Sequence, residues 1–274
     1  MSTDTMKRLL SYSFLTFLLI GVSGCYTVPK TGRSALILVS ERKLAAASAD
    51  EFVTIKISEP VSVDPDYNAR VQKVGQRIAE VAKQDIAYAD WEFIVIEDDD
   101  MMNAFAMPGG KVAVYTGLLK ITKSDDELAI VIGHEVAHVA ARHSNERLSQ
   151  KGITSVFLNL SSIALSVVGL GFYESQAVLS AVGAGAEFGL MLPYSRQHEN
   201  EADVIGLLYA AEAGYDPYAA ITFWERVKAM SEEDDKFPAF LSTHPSDETR
   251  IRKLWVQMPE AVEIYRDGQP AAAP

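Results

Sequence analysis

The segment His134-Glu135-Val136-Ala137-His138 constrains this chain more tightly than any other, because its chemistry exists only if the segment is helical. At about 100° per residue, side chains four apart leave a helix on one face a turn apart, so His134 and His138 make a two-point metal clamp. Glu135 projects about 100° to the side, beside a metal held there, where its carboxylate can take a proton from a water. The flanking residues supply the helix. Ser124 and Glu127 form a capping box, with the Ser124 hydroxyl accepting from the Glu127 amide and the Glu127 carboxylate reaching back to the Ser124 amide. Leu128, Val131, Ile132, Val136 and Val139 follow at spacings of three and four as an apolar stripe. Arg142 and Arg147 stand toward the far end, where cations suit the helix dipole.

A zinc peptidase site takes three protein ligands and keeps a fourth position for water. Ala141 and Ser144 occupy the places where a metzincin carries glycine and histidine, which excludes that continuation. On an unbroken helix His143 lies about 900° from His134 and faces nearly opposite, so it cannot join the clamp. The third ligand is therefore sought in Ser195-Arg196-Gln197-His198-Glu199-Asn200-Glu201-Ala202-Asp203. Glu199 and Asp203 are four apart and share a helix face: Glu199 can bind zinc while Asp203 accepts a hydrogen bond from a ligand histidine and fixes its tautomer. Glu201, about 200° round from Glu199, faces away. Taken by itself, such a segment also reads as an acidic helix start favoured by the dipole.

Together the two segments are more specific than either. They are joined by Asn103-Ala104-Phe105-Ala106-Met107-Pro108-Gly109-Gly110-Lys111 upstream and Ser242-Thr243-His244-Pro245-Ser246 downstream. The set resembles the gluzincin metallopeptidases of the CAAX prenyl protease and HtpX type over roughly residues 30 to 255, and within them the bacterial periplasmic lipoprotein members. The resemblance implies one Zn2+ per chain on His134, His138 and Glu199, with Glu135 as catalytic base and Asp203 as the supporting carboxylate. It also implies that His244 approaches the metal from the fourth side, either as a removable plug or as an oxyanion stabiliser. From the residues alone, a histidine before proline indicates only a non-helical turn free to reach a cleft.

Upstream of the zinc helix, Trp91 to Ile96 and Lys111 to Tyr115 read as strands with a tight turn at Pro108-Gly109-Gly110 between them. An edge strand beside a catalytic metal can pair with an extended substrate, so Asn103, Ala104, Phe105 and Ala106 are the substrate-strand candidates. An ordinary hairpin in the core has the same periodicity. Asp64-Pro65 followed by Val71, Val74, Ile78 and Val81 predicts a capped amphipathic helix.

The N-terminus speaks to location. Lys7 and Arg8 precede an uncharged, mostly apolar run from Leu9 to Val22, and Val22-Ser23-Gly24-Cys25 follows. Residues 1–25 thus resemble a bacterial lipoprotein signal with its lipobox, Cys25 being the lipidated mature N-terminus. Tyr26 in place of aspartate points, by the same resemblance, to the outer membrane. Cys25 is the one cysteine, so no intramolecular disulfide can form. Residues 26–50 are expected to be a tether and N-terminal segment, with Tyr26 to Ser34 a short tether; 51–265 the metallopeptidase domain; and 266–274 a flexible tail. A helix from Glu248 to Gln257 and an Ala/Pro tail leave no room after His244 for a helical-repeat domain. With 48% hydrophobic and 23% charged residues the chain is globular, and a net charge of −12 argues against nucleic acid and against electrostatic binding to anionic lipid. From Gly152 to Tyr173 no residue is charged, a length that could span a bilayer. A single crossing there would separate His138 from Glu199, and the return segment contains Glu187 and several glycines. Residues 152–192 are therefore read as a lid-like or packed helical hairpin over the cleft.

The expectation is an α+β, mainly helical zincin-type domain with a small sheet beside the active-site helix. It would act as a zinc metalloendopeptidase on unfolded or misfolded envelope proteins at the periplasmic face of the outer membrane. The competing expectation is a chaperone or scaffold lipoprotein whose zinc site is plugged.

Overall fold

The computed structural model describes residues 25–167, 180, 192–233, 244 and 248–268. The signal-like run before Cys25, most of the expected 152–192 hairpin, the neighbours of His244 and the tail after residue 268 lie outside the described residues. Among the described residues, no helix is long and apolar enough to cross a membrane.

The helix that carries the histidines runs Asp125–Ala140 and is central. It is the fourth helix, α4, after α1 Glu41–Ser58, α2 Pro65–Ala82 and the short α3 Thr116–Ile121. Every residue from Glu127 to Ala140 is buried. The expected stripe is thus only part of its apolar surface, as befits a helix enclosed by neighbours on all sides. Ser124 caps it by accepting from the Glu127 amide at 3.2 Å. The reciprocal half of the capping box differs from expectation. Glu127 accepts from the Lys123 amide, not that of Ser124, and its carboxylate is turned into an ion pair with Arg226, with an Arg226 Nη1 contact at 2.7 Å. A buried carboxylate favours a charged partner over a second backbone amide.

The helix also ends sooner than the sequence suggested. Arg142 takes a left-handed backbone conformation, φ 58°, and a new helix, α5 His143–Val167, begins directly after it. Arg142 and Arg147 therefore do not sit on the zinc helix. The break is held by tertiary contacts. The Tyr26 hydroxyl donates to the Ala140 carbonyl at 2.8 Å, and the Arg142 guanidinium lies over the Tyr26 ring at 3.9 Å. These contacts make residues 25–36 more than a tether. They form a hairpin, β1 Cys25–Thr27 against β2 Ser34–Leu36, whose Val28 and Ala35 join the main core.

A second sheet has the order β3-β5-β4, from Glu92–Ile96, Lys111–Tyr115 and Ala104–Met107 respectively. The Pro108-Gly109-Gly110 turn links β4 to β5, not β3 to β5, and β3 runs parallel to β5. The four-residue apolar run Ala104–Met107 is short enough to pass for a loop, which hides the extra strand. An isolated bridge from Val61 to Ile96 covers the β3 side, so β4 is the edge strand, and it packs against α4. Asp64 caps α2 by accepting from the Asp66 and Tyr67 amides, and Val71, Val74 and Ile78 are buried as the pattern predicts.

Three further helices complete the core: α6 Leu192–Glu212, α7 Ala219–Glu233 and α8 Glu248–Asp267. The last runs ten residues beyond the expected Gln257, through Pro259, because Met258 and Ala261 stay buried. Helices α4 and α6 approach each other closely, backbone to backbone, at Gly133 and Gly206. A Cβ built on Gly206 would lie 2.6 Å from the His134 nitrogen and 2.8 Å from the Gly133 carbonyl carbon. Both are backbone atoms and cannot rotate away. Gly206→Ala should cost ~2–3 kcal/mol and lower the melting temperature by about 5–10 °C. Gly152→Ala, with nothing within 4 Å of its new methyl, should be neutral or slightly stabilising. Thermal unfolding of the two variants checks the contrast.

Candidate metal centre

Helix α4 presents His134 and His138 on one face, and α6 delivers Glu199 and Asp203 from across the Gly133–Gly206 contact. Ligand atoms of His134, His138, Glu199 and His244 all lie within 4.8 Å of one another, and all four residues are buried. His134 Nε2 stands 3.1 Å from His138 Nε2 and 3.1 Å from His244 Nδ1. Glu199 reaches all three rings, with its oxygens 3.3 Å from His134 Nε2, 3.3 Å from His138 Nε2 and 2.9 Å from His244 Nδ1. Asp203 Oδ1 is 2.9 Å from His134 Nδ1. Glu135 is beside the cluster, with His244 Nε2 3.3 Å from its Oε1, and that oxygen is buried without a hydrogen bond among the described residues.

The donor set fits a zinc ion. A carboxylate only accepts, so Asp203 places the His134 proton on Nδ1 and leaves a lone pair on Nε2. That lone pair faces other ring nitrogens at contact distance, an arrangement that a shared cation stabilises. Two or three imidazoles with one carboxylate, in tetrahedral reach, suit zinc better than the oxygen-preferring magnesium or calcium.

Electrostatics separate the acids by task. Burial raises the Glu135 pKa above the usual carboxylate range, offset in part by His244 and His134, as suits a base that must accept a proton. Burial also acts to raise Glu199, but its close contacts with His134, His138 and His244 overcome it and hold the carboxylate far below its usual range. Asp203 behaves alike: burial opposes its charge, and Arg250 and His134 prevail. Burial pushes His138 well below the usual histidine value. His134 feels the same burial, but the Asp203 and Glu199 carboxylates outweigh it and lift the ring to about 9.

The sequence pattern placed most of these residues but missed two supports. Arg250 donates to Asp203 Oδ1 at 2.6 Å while its guanidinium lies over the Trp224 ring at 3.5 Å. Its only sequence signal is an arginine in the first turn of a helix following His244. His143, expected to face away, meets His138 instead, with 2.8 Å between their Nδ1 atoms. The left-handed Arg142 resets the helical phase, so counting residues from His134 fails beyond Ala140. Glu201 does face away from the cluster, as expected, and is bound to His143. Of the substrate-strand candidates, Ala104 is buried in the core, while Asn103, Phe105 and Ala106 are half-buried along the edge strand and its approach. Cys25 is exposed at the start of β1.

Fold and site together define a metallopeptidase domain with a zinc-type ligand set. The chain belongs to peptidase family M48, whose sequence pattern matches residues 65–256. It is 42% identical over 191 residues to the mitochondrial metalloendopeptidase OMA1 of Schizosaccharomyces pombe, covering 70% of this chain and 53% of that protein. The human metalloendopeptidase OMA1 is 32% identical over 250 residues, 86% of this chain and 46% of its own length. The Escherichia coli β-barrel assembly-enhancing protease is 27% identical over 230 residues, 82% of this chain and 46% of its own. The chain thus spans about half the length of the curated relatives it matches.

Asp203→Asn tests the geometry. It replaces a carboxylate that serves both His134 and Arg250 with a neutral amide that has one accepting oxygen, and zinc affinity measured by chelator competition should fall about 10–100-fold.

Proposed function

We propose that this chain is a zinc metalloendopeptidase that cleaves unfolded or misfolded envelope proteins at the periplasmic face of the outer membrane, held there by lipid on Cys25. The observation that carries the peptidase reading is the convergence of His134, His138 and Glu199 on one point with the buried Glu135 beside it. Zinc, when bound by these three residues, supplies a Lewis acid that acidifies water and polarises a carbonyl. Glu135 accepts the proton of the attacking water and passes it to the leaving amine, a role its raised pKa favours. Asp203 and Arg250 hold His134 in the required orientation.

The edge strand β4 supplies the binding mode. Its outer side, unpaired among the described residues, can pair with an extended substrate through main-chain hydrogen bonds, which demand little of the sequence and require the substrate to be unfolded locally. This agrees with a quality-control role, and the name of the Escherichia coli relative ties it to β-barrel assembly. Location rests on the lipobox-like Val22-Ser23-Gly24-Cys25 and on Tyr26 after it. Because β1 begins at Cys25 and packs on the domain through Tyr26, a lipid there would keep the catalytic body close to the membrane surface.

Glu135→Gln in the purified full chain should retain zinc and lose about 10²–10⁴-fold of its cleavage rate on an unfolded protein. One observation favours a second reading. His244 Nδ1 lies 2.9 Å from Glu199 and 3.1 Å from His134 Nε2, where a fourth ligand would stand, which supports a resting site plugged by His244. His244→Ala should then raise the basal cleavage rate. Wild type that carries zinc and cleaves nothing, with His244→Ala equally inert, would favour the latent scaffold over the enzyme. Location has its own check: Cys25→Ser should move the protein from the membrane to the soluble fraction. Recovery of wild type with the inner membrane on a density gradient would count against the outer-membrane assignment.

A further inference from the structure

We propose that His143 and Glu201 are positioning residues for the zinc ligand His138, fixing its tautomer as Asp203 fixes that of His134. The proposal rests on the zinc reading above and concerns residues outside the ligand set.

A histidine that offers Nε2 to a metal must carry its proton on Nδ1, and that N–H needs an acceptor. For His134 the acceptor is Asp203. For His138 the atom in place is His143 Nδ1, at 2.8 Å. His143 can accept there only with its own proton on Nε2, and His143 Nε2 lies 3.0 Å from Glu201 Oε2, an oxygen that only accepts. The chain therefore runs in one direction: His138 Nδ1–H donates to His143, and His143 Nε2–H donates to Glu201. The reverse order would put the His138 proton on Nε2, pointing into the ligand cluster.

The outer end of this chain is itself fixed. Thr31 donates to Glu201 Oε1 at 2.6 Å, and Arg33 Nε donates to Glu201 Oε2 at 2.8 Å. The other two guanidinium nitrogens of Arg33 fork onto Glu146 at 2.9 and 2.8 Å. Glu146 also takes a bond from His198 Nε2 at 2.9 Å, and the His198 ring stacks on His143 with centroids 4.0 Å apart. The plane of His143 is thus held by stacking and its polarity by a carboxylate. His143, Glu146, His198 and Glu201 are all buried, so water does not compete for these bonds.

The test compares the metal-stripped full chain with His143→Leu, His143→Asn, His143→Gln and Glu201→Gln. Zinc affinity is measured by competition with a chromogenic chelator, and thermal unfolding of the metal-free proteins is recorded alongside. His143→Leu should weaken zinc binding about 10–100-fold, and Glu201→Gln should weaken it in the same direction. The asparagine Oδ1 falls where His143 Nδ1 stands and can accept from His138, so His143→Asn should recover most of the affinity. Glutamine fills the volume better and reaches Glu201, yet presents no acceptor at that point, so His143→Gln should not recover it. A role in packing alone predicts the opposite order, glutamine at or above asparagine, and that order would overturn the proposal. So would equal affinity in wild type and His143→Leu. If the leucine variant does not fold, the order of asparagine and glutamine still decides. Wild type that binds no zinc would sink the metal assignment and this proposal together, whereas the other failures leave the metal assignment standing.

Discussion

The contact on which the rest of the structure depends is the close approach of two helices at Gly133 and Gly206. Side chains of ordinary size would separate the helix axes by 8–10 Å. Glycines on both sides bring the backbones together next to His134, and this lets the short carboxylates Glu199 and Asp203 reach histidines on another helix. Metal ligands must be placed to within a fraction of an ångström, and positions on two packed helices are more precise than positions on loops. Burial follows from the same contact. Because α4 is enclosed on all sides, its polar side chains are removed from water and must find partners in the protein.

That demand explains which parts of the site were legible in the sequence. The helix start, the His134/His138 face and the Glu199/Asp203 face depend on period and capping within one helix, where angular counting holds. His244 was legible through its resemblance to a family pattern, since a histidine before proline shows little by itself. Three features were not legible. The left-handed Arg142 carries none of the usual signals, being neither glycine nor asparagine, and Tyr26 donates to the carbonyl of Ala140 beside the break, from 114 residues away. His143 was misplaced as a direct result. The parallel pairing of β3 with β5 depends on a short intervening strand that alternation does not reveal. The role of Arg250 depends on tertiary packing alone, through Trp224 and Asp203.

The N-terminal hairpin changes how the domain must be understood. A segment that composition reads as a tether instead supplies Tyr26 to the end of the zinc helix and Thr31 and Arg33 to the acids behind His138. Two ends of the described chain thus act on the two ligand histidines, Arg250 from α8 through Asp203 to His134 and Arg33 from β2's approach through Glu201 to His143. Each uses the same device. A guanidinium holds a buried carboxylate, and the carboxylate in turn receives a ring N–H, directly from His134 on one side and through the intervening His143 on the other.

The charge of the centre follows the same logic. Glu135, Glu146, Glu199, Glu201 and Asp203 gather around the histidines, and the guanidinium groups that act on them are those of Arg33, Arg147 and Arg250. Arg33 and Arg250 engage Glu146, Glu201 and Asp203 directly, whereas Arg147 acts on the group from a distance. Among the described residues the carboxylates around the histidines outnumber the guanidinium groups that act on them, an excess that a bound cation would reduce. Buried charge in such quantity is costly unless paired. Glu135 can relieve part of it by taking up a proton, as its raised pKa favours, while Glu199 is held ionised by the histidines around it. Burial is the main cause of the raised Glu135 pKa, so the same removal from water that makes a cation favourable at Glu199 keeps Glu135 ready to accept a proton.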